Sequence, residues 1–251
     1  MRLLRIEVVE DRTSSSSCDK GFLTLRRLLV RNHYEGGHTS EPYPCDLMRR
    51  PGSDAVVAVL YERTEDGRVE VLLRESARVP IYLRKDEDFV HPDPRQYLSI
   101  LETVAGIVEP DDPPGLPGWR RRGSIEALEE AGLSIEEGEL SPLGGETFAS
   151  PGTSDEKLFF VAGEAHLADA GGGLGDGSGM EEWSVLHRFD LCEAIRACRT
   201  GLIPDMKTEV ALLRLADALG YLPQLGCFAD ELPGDHAGRH DPLGAGEEPG
   251  A

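Results

Sequence analysis

Residues 102–133, ETVAGIVEPDDPPGLPGWRRRGSIEALEEAGL, carry the pattern from which the fold is read. In the closing run IEALEEAGL, Glu126 and Glu130 are four residues apart and Glu129 is three from Glu126. All three carboxylates therefore share one broad helix face, and Ile125 and Leu128 are expected to face the core. Gly132 supplies a stop. Pro110, Pro113, Pro114 and Pro117 predict an irregular connection over 109–118, with the helix running from near Trp119 to Gly132. Like charges on one helix face cost stability unless solvent screens them or cations sit between them. Hard divalent ions take oxygen ligands and bridge carboxylates to phosphates. A solvated acidic face has the same pattern, so the nine residues alone leave both readings open.

Outward from this stretch, two aliphatic runs, Ala55–Tyr61 and Val69–Leu73, flank the polar turn Glu65–Arg68 and predict a hairpin at the start of the main domain. Before it, Leu3–Val9, Leu23–Val30 and Tyr43–Met48 read as three strands of a small β-rich region, residues 1–50. Between Pro80 and Pro94 a charged, aperiodic stretch predicts a surface loop. Downstream, Leu143–Phe148 and Lys157–His166 read as strands, and Gly171–Gly179 as a surface stretch. Asp190 and Glu193 have capping-box spacing. Leu212, Leu215, Ala216 and Leu219 make an apolar stripe for a helix after Asp205. The main domain is expected over 51–223 and an acidic, disordered tail over 224–251, whose composition offers little apolar area against its ordering entropy. Cys227, His236 and His240 in that tail lack a regularly spaced fourth ligand, so a zinc site is not expected there.

Composition narrows the classes. Across 251 residues, 26 Lys and Arg face 46 Asp and Glu, a formal charge of -20 that argues against binding nucleic acid by counterion release or docking on an anionic membrane. Phosphate substrates remain open, because bound cations reverse the local field in a carboxylate cluster. The five cysteines, Cys18, Cys45, Cys192, Cys198 and Cys227, are odd in number and scattered, which fits a reduced, cytoplasmic setting. The start MRLLRIEVVEDR has no secretory apolar run, and no stretch reaches membrane-spanning length.

The separated segments ETVAGIVEPDD, IEALEEAGL and FASPGTSDEKLFFVAGEA together resemble the Nudix hydrolases, in particular the ADP-ribose pyrophosphatase-like and nucleoside-diphosphate-sugar pyrophosphatase branch. Gly106 matches the opening Gly of the family signature, and Asp112 stands where Glu is usual. Glu126, Glu129, Glu130, Gly132 and Leu133 match its end. RNHYEGGHTSEPYPCDLMRRPGSDAVVAVLY and GLIPDMKTEVALLRLADALGYL extend the likeness over roughly residues 20 to 222. Two departures stand out: five extra residues between Asp112 and Ile125, with GLPGW as the insertion, and Ile125 in the usual Arg position. Arg122, one helix turn before Glu126, or the nearby Arg121, is a candidate to compensate as an orienting residue.

The resemblance implies an α/β/α sandwich with mixed sheets behind an N-terminal β-rich extension that pairs two copies into a homodimer. It implies Mg²⁺, or Mn²⁺, held by the Ala105 carbonyl, Glu126, Glu130 and Glu156, with Glu129 in support and Asp155 as the alternative to Glu156. The expected catalytic set is Glu126, Glu129, Glu130 and Glu156. Arg74 and Arg78 are candidates to bind the substrate, an ADP-ribose-like compound or a nucleotide sugar, whose diphosphate would be hydrolysed. Ile125 keeps a second reading open, a noncatalytic nucleotide-sugar-binding module on the same fold.

Overall fold

The computed structural model describes residues 3–12, 14, 22–93, 95–171 and 183–234. Cys18, most of the glycine-rich stretch, His236 and His240 lie outside them. Chain contacts divide the molecule into two compact units, Met1–Asp54 with Phe148–Lys157, and Ala55–Thr147 with Leu158–Ala251.

The smaller unit is built on β1 (Leu3–Asp11), β2 (Thr24–Tyr34) and β3 (Tyr43–Arg49), an antiparallel sheet with β2 in the middle. Leu28 and Val30 bury the inner side of β2. The loop Ser150–Glu156 belongs to this unit. It turns on the Thr153 and Ser154 N–H groups, both donating to the Ser150 carbonyl, and meets β3 where the Met48 N–H donates to the Thr153 carbonyl at 2.8 Å.

The larger unit is α/β. Its strands are β4 (Ala55–Arg63), β5 (Val69–Ser76), β6 (Ile100–Glu102), β7 (Val104–Ile107), β8 (Ser141–Pro142), β9 (Thr147–Phe148), β10 (Lys157–Glu164) and β11 (Ser184–Asp190), save that Phe148 and Lys157 are counted with the smaller unit. They form one mixed sheet ordered β11-β5-β4-β10-β8, with β6 on β5, β7 on β4 and β9 on β10. β4 and β10 run parallel, and the other registered pairs are antiparallel. The predicted hairpin β4–β5 pairs near its turn, Tyr61–Arg63 with Val69–Val71. Beyond that the chain from Ile100 to Ile107 serves both strands, as β6 against β5 and β7 against β4.

Residues 55–60 of β4 are all buried, so both faces of the sheet are covered. On one face Val56, Ala58 and Leu60 join Trp119, Ala127 and Ala131 of helix α2 (Leu116–Ala131) in a single apolar cluster. The alternate residues Val57 and Val59 point to the other face. Helix α3 (Leu191–Arg199) touches β5 and helix α4 (Met206–Ala218) touches β4. The short helix α1 (Val79–Tyr82) and the 3₁₀ turn Leu83–Asp86 occupy the stretch expected to be loop. β11 had no clear signal in the sequence, because each face of this half-exposed edge strand mixes apolar and polar residues, Val185 and Phe189 with His187, and Leu186 with Arg188. In the tail expected from residue 224, β13 (Cys227–Phe228) pairs with β12 (Tyr221–Leu222), and Tyr221 packs edge-on against Phe228.

The helix caps follow the local chemistry. Asp190 accepts from the N–H groups of Cys192 and Glu193, and Asp205 accepts from that of Thr208. The start of α2 corrects the sequence reading. The insertion forms its first turn, beginning at Leu116, because Pro117 sits where a helix has no N–H to satisfy. Gly118 is needed there: a Cβ would lie 1.9 Å from the Pro113 carbonyl oxygen. Trp119 then stacks on Phe159, ring centres 4.3 Å apart, and pins this added turn to β10.

Candidate active site

A stripe of small residues brings α2 close to the sheet. A Cβ on Gly123 would meet Val161 Cγ2 at 2.9 Å and Leu140 Cδ1 at 3.1 Å, and Ala127 and Ala131 continue the same stripe, fully buried. One residue earlier at each turn stand Arg122, Glu126 and Glu130, all buried as well. Leu128, expected in the core, is 49% exposed, and Ile125 is half-buried. The close approach made by Gly, Ala and Ala rotates the charged stripe inward and the leucine outward.

Each buried charge has a partner. Arg122 donates from Nε to Asp112 Oδ2 at 2.9 Å, and its Nη atoms lie 3.3 Å from Glu109 and 3.7 Å from Glu126. Asp112 Oδ2 also accepts from the Glu109 N–H at 2.8 Å. Burial pushes the Asp112 carboxyl upward, but the Arg122 hydrogen bond, the Glu109 N–H and the nearby arginine charges outweigh it, leaving the group below the usual carboxylate range. Arg121 instead pairs with Asp111 at 3.0 Å and reaches Asp112 at 3.7 Å. Glu126 lies against Gly106, where any Cβ would fall 1.6 Å from its Oε1. Glycine at 106 is therefore a steric requirement of that carboxylate. Glu130 Oε1 accepts from Arg74 at 2.7 Å, and its Oε2 accepts from the Ala105 N–H at 3.1 Å.

Arg74, expected to face a substrate, is thus 4% exposed and bound to Glu130. Arg78 is partly exposed and donates to Glu102 Oε1 at 2.6 Å. Glu102 also receives Lys207, which bonds Asp205 at 2.9 Å. Burial raises the Glu102 carboxyl, but the charges and hydrogen bonds of Lys207 and Arg78 bring it below its ordinary value. Burial lowers the Lys207 ammonium, and Glu102 and Asp205 more than reverse that. Beside this cluster the Thr103 N–H, between β6 and β7, donates to Thr208 Oγ1 at 2.9 Å. Sequence reading assigned Glu102 and Lys207 no role, although both lie in quoted motifs. Only the tertiary structure brings the two segments together.

Glu126, Glu129, Glu130, Ala105, Arg74, Arg78, Arg121 and Arg122 all belong to the larger unit, with Glu129 half-buried on α2. Glu156 belongs to the smaller unit, where Arg50 pairs with it, and Asp155 pairs with Arg49. Their oxygens suit a hard divalent cation in donor type. Within the larger unit the arrangement does not. Among the described residues no group of three or more His, Cys, Asp or Glu side chains is placed to hold a metal ion. Ala105 approaches Glu130 through its N–H. A separate groove of about 650 Å³ in the larger unit, lined partly by Tyr61, Arg63, Arg120 and Glu164, contains none of these site residues. No helix among the described residues is long and apolar enough to cross a membrane.

No family model and no curated protein matches the sequence. Solved structures do match. One, described as the crystal structure of an ADP compounds hydrolase, aligns with a TM-score of 0.52 at 16% identity, over 86% of this chain and 92% of that chain. The likeness establishes the fold alone, a mixed α/β architecture of the kind expected from the sequence.

Proposed function

We propose that the protein hydrolyses the diphosphate linkage of ADP-ribose or a nucleoside-diphosphate sugar, releasing a nucleoside monophosphate and a sugar phosphate. The observation that carries this reading is the pair Glu126 and Glu130, two carboxylates buried on one stripe of α2 and fitted to consecutive residues of β7, Gly106 and Ala105. Burying charge is costly unless the surroundings compensate it, and this fold compensates it at the segment that resembles the hydrolase signature. The solved ADP compounds hydrolase with the same fold is consistent with the substrate class.

Dependence on Mg²⁺ or Mn²⁺ belongs to the proposal and comes from the resemblance. The chain's own residues would position the reacting groups. Arg122, buried on the inward stripe of α2, links Glu126 to Asp112 and Glu109, and we assign it the orienting role of the missing signature arginine. Arg78, partly exposed, is the better placed of the two arginines expected to meet substrate.

The test is a panel of ADP-ribose and nucleotide sugars with Mg²⁺ or Mn²⁺, read as nucleoside monophosphate released. Turnover of at least one compound is expected. Binding without turnover would establish the alternative that Ile125 suggests, a noncatalytic binding module. On the same panel Arg122→Ala should lower kcat by on the order of tenfold or more and also lower Tm, because it strands the buried Asp112, and Arg121→Ala should do less of both. Equal small losses of kcat would remove the orienting role from Arg122.

A further inference from the structure

Four side chains of alternating charge run from the start of α4 to the residues just after β5: Asp205, Lys207, Glu102 and Arg78. The first three are enclosed, and Arg78 has 38% of its side chain exposed. The inner end is fixed by further bonds. Asp205 Oδ2 accepts from the Thr208 N–H at 3.1 Å and from its hydroxyl at 2.6 Å, and the fully buried Thr208 hydroxyl accepts from the Thr103 N–H at 2.9 Å. Glu102 is divided between its two cations. Its Oε2 takes Lys207, and its Oε1 takes Arg78 Nε at 2.6 Å. An arginine facing a free carboxylate favours a bidentate pair of parallel N–H···O bonds. Lys207 denies Arg78 the second oxygen. Arg78 is therefore held through Nε alone, and among the described residues neither of its terminal nitrogens has a hydrogen-bond partner.

We propose that Lys207 is a positioning residue for Arg78: by occupying the second oxygen of Glu102 it keeps the Nη edge of the guanidinium free, and that edge receives the diphosphate of the substrate. Lys207 itself touches no ligand. Without its ammonium, Glu102 can turn both oxygens onto Arg78, and the guanidinium fork closes on the protein instead of the phosphates. The inference rests on the hydrolase reading for the identity of the substrate, but the dependence of Arg78 on Lys207 is measurable on a diphosphate without any turnover. A lysine with a merely structural role would weaken binding whether or not Arg78 is present. One that acts through Arg78 has no effect on binding once Arg78 is gone, so the two substitutions are expected to be non-additive.

The experiment is a calorimetric titration of ADP, as a diphosphate probe, into the full chain. Arg78→Ala and Lys207→Met should each weaken ADP binding about tenfold, the loss of one charge-assisted hydrogen bond, and the double variant should bind no more weakly than Arg78→Ala. Additive losses, unchanged affinity in folded Lys207→Met, or a wild type that does not bind ADP would overturn the proposal. A measurement on wild type guards against a variant that fails to fold. In the ¹⁵N side-chain signals of Arg78, assigned by their loss in Arg78→Lys, the Nε–H should be protected from exchange throughout and the Nη groups only after ADP is added. Protection of both before ADP, the mark of a bidentate pair with Glu102, would refute the division of that carboxylate. Non-additive ADP binding without hydrolysis of any compound on the panel would keep the positioning role and sink the hydrolase reading. Hydrolysis with additive losses would do the reverse.

Discussion

Helices α2 and α4 pack in the same unit by opposite rules. α4 buries Ala211, Leu212, Leu215 and Ala216, the amphipathic solution in which an apolar stripe faces the core. α2 buries Arg122, Glu126 and Glu130 beside a stripe of Gly and Ala, and leaves Leu128 in solvent. α4 follows the local rule because its task is packing. α2 breaks it, and the fold compensates with Arg74, Asp112, Gly106 and the Ala105 N–H. Where local pattern and tertiary placement disagree, a functional site is the expected cause. The contrast, more than the groove lined by Arg63 and Glu164, is what makes α2 the candidate site.

The strongest way to break this comparison is to make α2 obey the rule of α4. Arg74→Met or Glu130→Leu alone should each cost roughly 3–5 kcal/mol, because each strands a buried charge. The double replacement should recover most of that loss, while turnover is absent from all three variants. Denaturant unfolding checks the cycle, and a double variant as unstable as the singles would show that the pair does not act as a unit. In α4, Leu212→Ala should cost about 2–5 kcal/mol from cavity formation, with turnover per folded molecule unchanged. A selective loss of turnover would draw α4 into the chemistry.

A third prediction sets the Glu102 cluster against both helices. Its folded-state carboxyl lies below the ordinary glutamate value, so its stabilisation is present above about pH 4.3 and lost as pH falls through the folded value. Lys207 is shifted upward, so its share persists below the ordinary lysine value and is lost only at alkaline pH. Glu102→Gln should therefore cost roughly 1.5–3 kcal/mol at neutral pH, with the Tm difference from wild type narrowing below about pH 4. A difference constant from pH 7 to pH 3 would mean that charge is not what Glu102 contributes. The smallest effect is expected at Leu128→Ser, within about 0.5 kcal/mol, since this leucine is 49% exposed. A large loss would return Leu128 to the core position that periodicity assigns it.

Much of the molecule was readable before any coordinates. The strands of the N-terminal sheet, the β4–β5 hairpin, the Asp190 cap and the stripe of α4 all follow from signals a few residues long. The residue types of the candidate site were also visible in the sequence, since three glutamates at helix spacing after a Gly and an acidic residue make an unusual pattern. Other features were hidden. The insertion reads as loop because it contains proline and glycine, yet Pro117 is permitted in a first helical turn and Trp119 finds Phe159 forty residues downstream.

By itself the sequence determined what is local: which segments extend or coil, where helices are capped, and that α2 would gather carboxylates along one face. The tertiary structure decided which face of α2 turned inward, because Gly123, Ala127 and Ala131 admit the close sheet contact that Leu128 does not. It also decided the partners of each charge. Arg74 and Glu130 are separated by 56 positions, and Glu102 and Lys207 by 105. No short-range period encodes such pairings. They arise because the sheet brings β5, β6 and β7 beside α2 and the start of α4, and because an ion buried there must be matched by an opposite charge.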